Sequence, residues 1–297
     1  MTFFSVIIPT CRRNDDLARC LEALWRAMGI LHSERPNISA EVIVSDDALE
    51  SNAEALVAER FTWAKWMDGP KRGPAANRNN AVRNASGEWL VFIDDDCIPS
   101  ARWLIALAVG AETEEYPVLE GKTVPQGRQL RADFDCPINL KGGNLWSCNF
   151  AIRRSVFLEI GGFDEKYPFP AMEDVDLCFR IRKKQFPIRF IADAVVEHPW
   201  RKDDMVGLRN RAKSLAYFID KYPETEPIFL RTWGFRKMIR IIGFEFPKDV
   251  MRFGNKGTLR MLFLNLCFAF HFLIIRIRRR AVQLNQLYGH SNSWPAA

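Results

Sequence analysis

Asp94, Asp95 and Asp96 are the residues of this 297-residue chain whose type and spacing most directly suggest chemistry. Three adjacent carboxylates repel one another unless a cation or a donor-rich ligand neutralises them. A hard divalent cation such as Mg2+ is held by one or two carboxylates, with phosphate oxygens completing its shell. The triplet therefore reads either as an Asp-x-Asp clamp for a metal carrying a diphosphate or as a solvated acidic turn. A second acidic set is Glu173-Asp174-Val175-Asp176, ahead of the basic run Arg180 to Lys184. Carboxylates opening a helix are also favoured simply by its dipole. His198, in Val196-Glu197-His198-Pro199-Trp200, is either a satisfied surface residue or a further metal ligand.

These residues need a scaffold. Trp89 to Ile93 is an unbroken apolar run, as expected of a strand buried on both faces, and it delivers the triplet to the carboxyl edge where ligands of open α/β sheets bind. Phe3 to Ile8 is a first strand ending at Pro9-Thr10. A helix follows, with Asn14 as its expected cap and Leu17, Cys20, Leu21, Leu24, Trp25 and Met28 on its apolar face. Glu41 to Asp47 is a second strand with the Asp46-Asp47 pair at its end. Strand, helix, strand opens a Rossmann-like parallel sheet. No Gly-x-Gly-x-x-Gly or phosphate loop follows the first strand, so a nucleotide would be gripped by side chains such as Asp46 or Asp47. Such a pair also serves as a cap or turn. Thr62 to Met67 reads as a short strand, and Pro74 suits the first position of a polar helix, Ala75 to Asn84, that carries Arg78. Ser100 is the expected cap of a helix bearing Trp103, Leu104, Leu107 and Ala108. Pro117 to Val124 and Ile188 to Ala192 are further strands, and 125–143 is a long loop near the site. Arg209, Arg211 and Lys213 fit a solvated helix face or a diphosphate contact.

Composition is globular, with 48% hydrophobic and 26% charged residues, which excludes wholesale disorder. The first residues read as a strand and not as a signal peptide. Seven dispersed cysteines without a Cys-x-x-Cys pair fit a reducing cytosol. The net charge of +6 is uneven: residues 228–280 hold twelve Lys/Arg against two Asp/Glu. An anionic surface is the expected partner of that region.

Seven segments in order carry a resemblance: Ser5-Val-Ile-Ile-Pro-Thr, Val44-Ser-Asp-Asp, Ala76-Asn-Arg-Asn-Asn-Ala, Gly87 to Asp96, Asn149-Phe-Ala-Ile-Arg-Arg, Gly161-Gly-Phe-Asp-Glu and Glu173-Asp-Val-Asp-Leu. Over residues 3 to 200 the chain resembles the family 2 glycosyltransferases. The resemblance implies a GT-A fold, a Rossmann-like mixed, mainly parallel sheet flanked by helices, binding a nucleotide-sugar and Mg2+ or Mn2+. It implies that Pro9, Thr10 and Asp47 line the nucleoside pocket and that Arg78 approaches the same nucleotide. Asp94 would face ribose or metal, and Asp96 would be the direct metal ligand. Asp95, in the middle, leaves the register of the clamp open by one residue, and His198 would complete the shell. The Glu-Asp pair of the family supplies the base, here Asp174, with Glu173 as its acceptor-binding neighbour. One displacement then inverts the anomeric carbon.

The resemblance leaves the C-terminal quarter unexplained. Residues 1–222 are expected to form the catalytic domain, and 223–297 a helical, basic, membrane-associated region. Trp233 to Phe244 alternates aromatic, aliphatic and basic residues like an interfacial helix. Met261 to Ile275 is apolar but for Asn265 and His271; as a helix it measures about 22 Å, short of a ~30 Å hydrocarbon core. A monotopic helix with a polybasic flank is the favoured expectation, and a dimerisation or core helix is the alternative. No nucleic-acid motif accompanies the charge, so nucleic acid is not an expected partner.

The expected function is an inverting, metal-dependent glycosyltransferase using a UDP-sugar and a glycan or lipid-linked glycan acceptor. It would be cytoplasmic, peripheral on the inner face of the cell membrane, and the reading allows a homo-oligomer. The rivals are a silent nucleotide-sugar or glycan-binding protein of the same fold and a sugar-phosphate nucleotidylyltransferase. The latter would need a Gly-rich loop after the first strand, where Thr10-Cys-Arg-Arg-Asn14 stands instead. Absence of a Gln-x-x-Arg-Trp motif argues against a processive synthase.

Overall fold

The computed structural model describes residues 3–50, 53–167, 169–233 and 239–289. Pro168, singled out ahead of the Glu173-Asp174 pair, and residues 234–238 of the alternating stretch lie outside the described residues. The chain divides into two units, Met1–Gln129 with Cys136–Arg201, and Leu130–Asp135 with Lys202–Ala297.

The first unit contains β1 (Phe3–Thr10), α1 (Asn14–Glu34), β2 (Ser39–Asp46), α2 (Ala53–Arg60), β3 (Lys65–Asp68), α3 (Pro74–Arg83), β4 (Trp89–Phe92), β5 (Ile98–Pro99), α4 (Trp103–Ala111) and β6 (Val118–Pro125). The two-residue β7 (Phe134–Asp135) belongs to the second unit, and the first resumes with β8 (Phe150–Arg153), α5 (Arg154–Glu159), α6 (Glu173–Lys183) and β9 (Ile188–His198). Its eight strands are ordered β3-β2-β1-β4-β8-β6-β9-β5. The strands β1 to β4 run parallel, β8 is antiparallel to both β4 and β6, and β9 is parallel to β6. Two reversals restore the direction, so β9 ends on the same edge as β1, β2 and β4. This is how His198 reaches the edge where the acidic triplet sits.

The apolar run of β4 has a physical reason. Trp89 and Val91 pack into one core with Phe4, Val6, Leu21 and Leu104, while Leu90 and Phe92 pack into the other with Ile7, Phe150, Phe157 and Leu177. A strand covered on both faces has no position for a polar residue. Phe92 stacks on its cross-strand partner Phe150 at 4.7 Å between ring centroids, which fixes the register beside the site.

Three local expectations are corrected. Arg13, not Asn14, occupies the N-cap of α1, where no side chain caps, and its guanidinium is drawn to the acidic triplet instead. Trp25 is 57% exposed beside Trp63, because helical spacing alone did not distinguish the rim of the apolar face from its centre. Arg102, not Ser100, is the N-cap of α4.

The second unit is helical, with α7 (Met205–Lys221), α8 (Glu226–Trp233), a π-helical turn at Ile241–Glu245, α9 (Phe246–Phe253) and α10 (Thr258–Gly289). Asp204 caps α7 by accepting from Gly207 N at 2.6 Å. The helix α10 is far longer than its apolar run suggested. Within it, Thr258–Arg278 runs for 21 residues, about 31 Å, and its most apolar 18 residues have a mean hydropathy of 1.9, which removes the length objection to a span. Leu264, Phe268, Ala269 and Phe272 are buried, whereas Leu259, Phe263, Phe270, Leu273 and Ile277 are exposed. The buried Arg276 is paired with Asp220 at 2.7 Å and Glu226 at 2.6 Å.

Candidate active site

A cleft of about 600 Å³ opens at the carboxyl edge of the sheet, a size suited to a small-molecule ligand. Pro9, Thr10, Asp47, Arg78, Asp94, Asp95, Glu173, Asp174 and His198 all line it, so nine of the ten residues singled out from sequence meet in one place. The tenth, Asp96, is 4% exposed and lies behind the wall against His198 and Arg201.

The three carboxylates are held differently. Asp94 accepts from Arg78 Nη2 at 2.6 Å. Burial pushes its carboxyl up, but the charge and hydrogen bond of Arg78 outweigh this and the net shift is downward. Asp95 accepts from Thr10 Oγ1 at 2.7 Å and Arg13 Nη1 at 3.0 Å, and burial still pushes it up to about 6. Asp96 accepts through Oδ2 from Arg201 Nε at 2.7 Å. One arginine therefore serves each acid, from α3, from the start of α1 and from the segment after β9.

Arg78 does more than the sequence suggested. It is buried, and besides Asp94 it reaches Glu173 Oε1 at 3.2 Å, tying the triplet to the start of α6. Burial lowers its pKa, but Asp94 and Glu173 more than compensate and it is held above the ordinary arginine value. Glu173 keeps its other oxygen, Oε2, buried and without a hydrogen-bond partner among the described residues. Beside it, Asp174 accepts from Val175 N at 2.8 Å and Ser147 N at 3.4 Å. Burial, and then the neighbouring Glu173 charge, push Asp174 up to about 7. Met172, immediately before the pair, has φ 73° at the N-cap of α6, an unusual backbone for a side chain this large.

Asp47 accepts from the backbone N–H of Lys71 at 2.5 Å and Gly73 at 2.7 Å, so it shapes the loop leading into α3 while lining the cleft. The residue thus has the turn role and, with it, a place in the wall of the cleft.

Among the described residues, Asp96, Cys97 and His198 form a cluster whose ligand atoms lie close enough together to hold a metal ion. His198 Nε2 lies 3.8 Å from Asp96 Oδ2, and Nδ1 is 2.8 Å from the Pro199 carbonyl. A proton donated from Nδ1 to that carbonyl leaves the Nε2 lone pair toward Asp96, the tautomer a metal ligand needs. Cys97 stands within the same cluster, its thiol pushed well up by burial in the metal-free chain. A carboxylate beside an imidazole fits a hard or borderline divalent ion. Arg13 and Arg201 gave no sequence signal: neither belongs to a motif, and their partners lie 82 and 105 residues away.

Residues 5–161, just over half of the chain, match the family described as Glycosyl transferase family 2. The chain belongs to this family. It is 24% identical over 220 residues to the glycosyltransferase AglE of Haloferax volcanii, covering 68% of each chain. In fold, this glycosyltransferase is similar to S. aureus TarS 1-349 in complex with UDP-GlcNAc, with TM-score 0.54 and 18% identity over 73% of this chain and 65% of that one. It is equally similar to the mannosyltransferase PcManGT of Pyrobaculum calidifontis in complex with GDP-Man and Mn2+, with TM-score 0.54 and 18% identity over 98% and 83%. The fold is thus GT-A: a mixed α/β sheet flanked by helices, with an apolar C-terminal helix.

Proposed function

We propose that this family 2 transferase is metal-dependent and inverting, and moves a sugar from a nucleotide-sugar, UDP-sugar being the expected donor, to a hydroxyl of a glycan or lipid-linked glycan in surface polysaccharide synthesis. The observation that carries the reading is the convergence of Asp94, Asp95, His198 and the Glu173-Asp174 pair on one cleft, with Arg78 joining Asp94 to Glu173 and Asp96 set behind the wall against His198. The nucleotide-sugars held by TarS and PcManGT, and the Mn2+ of the latter, support it.

Pro9, Thr10 and Asp47 would receive the nucleoside. Asp47 has lone pairs to spare beyond its two backbone donors. Asp96 and His198 would hold Mg2+ or Mn2+, which when bound offsets the charge growing on the departing diphosphate. Asp94, fixed by Arg78, would take a ribose hydroxyl or a water of the metal shell. A second acceptor hydroxyl, beside the one that attacks, can donate to Glu173 Oε2, the buried oxygen that lacks a partner among the described residues. Asp174 takes the proton of the attacking hydroxyl as its oxygen bonds to the anomeric carbon, and the bond from that carbon to the nucleoside diphosphate breaks on the opposite face. A single displacement inverts the configuration. A carboxyl raised to about 7 suits a base working near neutral pH.

We assign catalysis to the first unit and contact with the inner face of the cell membrane to residues 228–280. The exposed Phe263, Phe270 and Ile277 on α10, with the surrounding basic excess, fit an interfacial helix.

The test is release of nucleotide from a panel of UDP-, GDP-, dTDP- and CMP-sugars with Mn2+ or Mg2+, with and without EDTA and a membrane lipid extract. Selective release from a UDP-sugar, abolished by EDTA, is expected. Donor binding without turnover, even with the extract, would instead favour a silent nucleotide-sugar-binding protein.

A further inference from the structure

Arg201, like Arg13, is a cation of the cleft to which the reaction above gives no task. Its Nε and Nη2 both meet Asp96 Oδ2, the oxygen that also faces His198 Nε2 at 3.8 Å. Arg13 Nη1 stands 3.9 Å from that same oxygen but is spent on Asp95, at 3.0 Å. The Asp96 side chain is 1% exposed, whereas that of Arg201 is 41% exposed. The acid is therefore fixed in the wall and the guanidinium is carried on an arm with room to leave. Arg201 also lines the cleft alongside Asp94 and Asp95.

A guanidinium and a divalent cation cannot share one oxygen of a buried carboxylate, because their mutual repulsion is weakly screened there. We propose that Arg201 is an exchangeable counter-charge: it holds Asp96 in the free enzyme, yields that oxygen to the metal, and transfers its hydrogen bonds to the donor diphosphate. The inference rests on reading Asp96 and His198 as the metal ligands. A metal arriving alone must displace Arg201 with no new anion for it to meet. When a diphosphate arrives as well, the displaced guanidinium has bidentate oxygens to take up. Metal and diphosphate consequently bind with positive coupling, and the coupling passes through this one side chain.

The experiment measures Mn2+ binding to the full chain by the loss of the free-ion paramagnetic resonance signal, with and without saturating UDP. The wild type is expected to bind Mn2+ weakly alone and at least tenfold more tightly with UDP. Arg201→Met should bind Mn2+ alone about tenfold more tightly than wild type, and UDP should then add no more than a fewfold. Arg201→Lys, which keeps the charge, should return toward wild-type behaviour. A purely structural role would weaken Mn2+ binding in both conditions, and that result, or wild-type affinities in Arg201→Met, would overturn the proposal while leaving the metal reading intact. If wild type binds no Mn2+ even with UDP, or Asp96→Asn leaves Mn2+ binding unchanged, the metal reading fails and this inference goes with it.

Discussion

At the scale of single residues, the cleft is governed by which carboxylates have a charged partner. Asp94 has Arg78 hydrogen-bonded to it and is pulled downward, whereas for Asp174 burial and the like-charged Glu173 outweigh the more distant Arg78 and two backbone donors. Two acids on one wall are thereby driven in opposite directions, the arrangement that separates a base from a binding group. The sign for stability follows. With its folded pKa raised above the ordinary 3.8, Asp174 contributes stability that is fully present below about pH 4 and is lost as pH rises through about 7. The rate should move the other way, rising with pH through the same range as the base ionises. Asp174→Asn is expected to lower turnover at least ~100-fold while being more stable than wild type at pH 8 and equally stable near pH 4. Initial rates and denaturant unfolding at the two pH values check both halves; unaltered turnover would remove Asp174 from the base role.

At the scale of elements, Asn149 is a knot that sequence marked without explaining. Its Nδ2 donates to the carbonyls of Lys122 at 2.9 Å and Ala194 at 3.0 Å, and its Oδ1 accepts from Trp103 Nε1 at 2.9 Å. It thus joins β6, β9 and α4 next to the bulge at Gly121/Lys122. Space for it exists because Gly121 has no side chain: a Cβ there would lie 2.2 Å from Asn149 Oδ1. Gly121→Ala must expel the amide and leave buried groups unpaired, so a loss of about 2 kcal/mol or more is expected in urea unfolding. An unchanged midpoint would show that the knot is dispensable. The strands, the polar helix α3 and the acidic ends were legible because a two-sided core writes an unbroken apolar run and carboxylates stand out where such a run stops. The arginine partners were not, since Arg13, Arg78 and Arg201 find their acids through topology and not through spacing. Nor was the full extent of α10 readable from its apolar segment, because the helix continues into polar sequence through Gly289.

At the scale of the whole molecule, the basic excess and the exposed apolar residues of α10 belong to the second unit, whereas all the cleft residues belong to the first. The proposed chemistry and the proposed attachment are therefore separable by mutation. Phe263→Ser, Phe270→Ser and Ile277→Ser together should reduce co-sedimentation with anionic phosphatidylglycerol vesicles at least fivefold, with hydrolysis of the donor in solution unchanged. Equal sedimentation of the triple variant would end the attachment reading. The pairing of one arginine with each acid of the triplet has a further meaning for how such a protein lives in a cell. A site whose like charges are already balanced from within places no demand on mineral supply in order to fold. If the proposed metal dependence holds, the chain can be made, stored and kept intact through a shortage of divalent ions, and fall silent without falling apart.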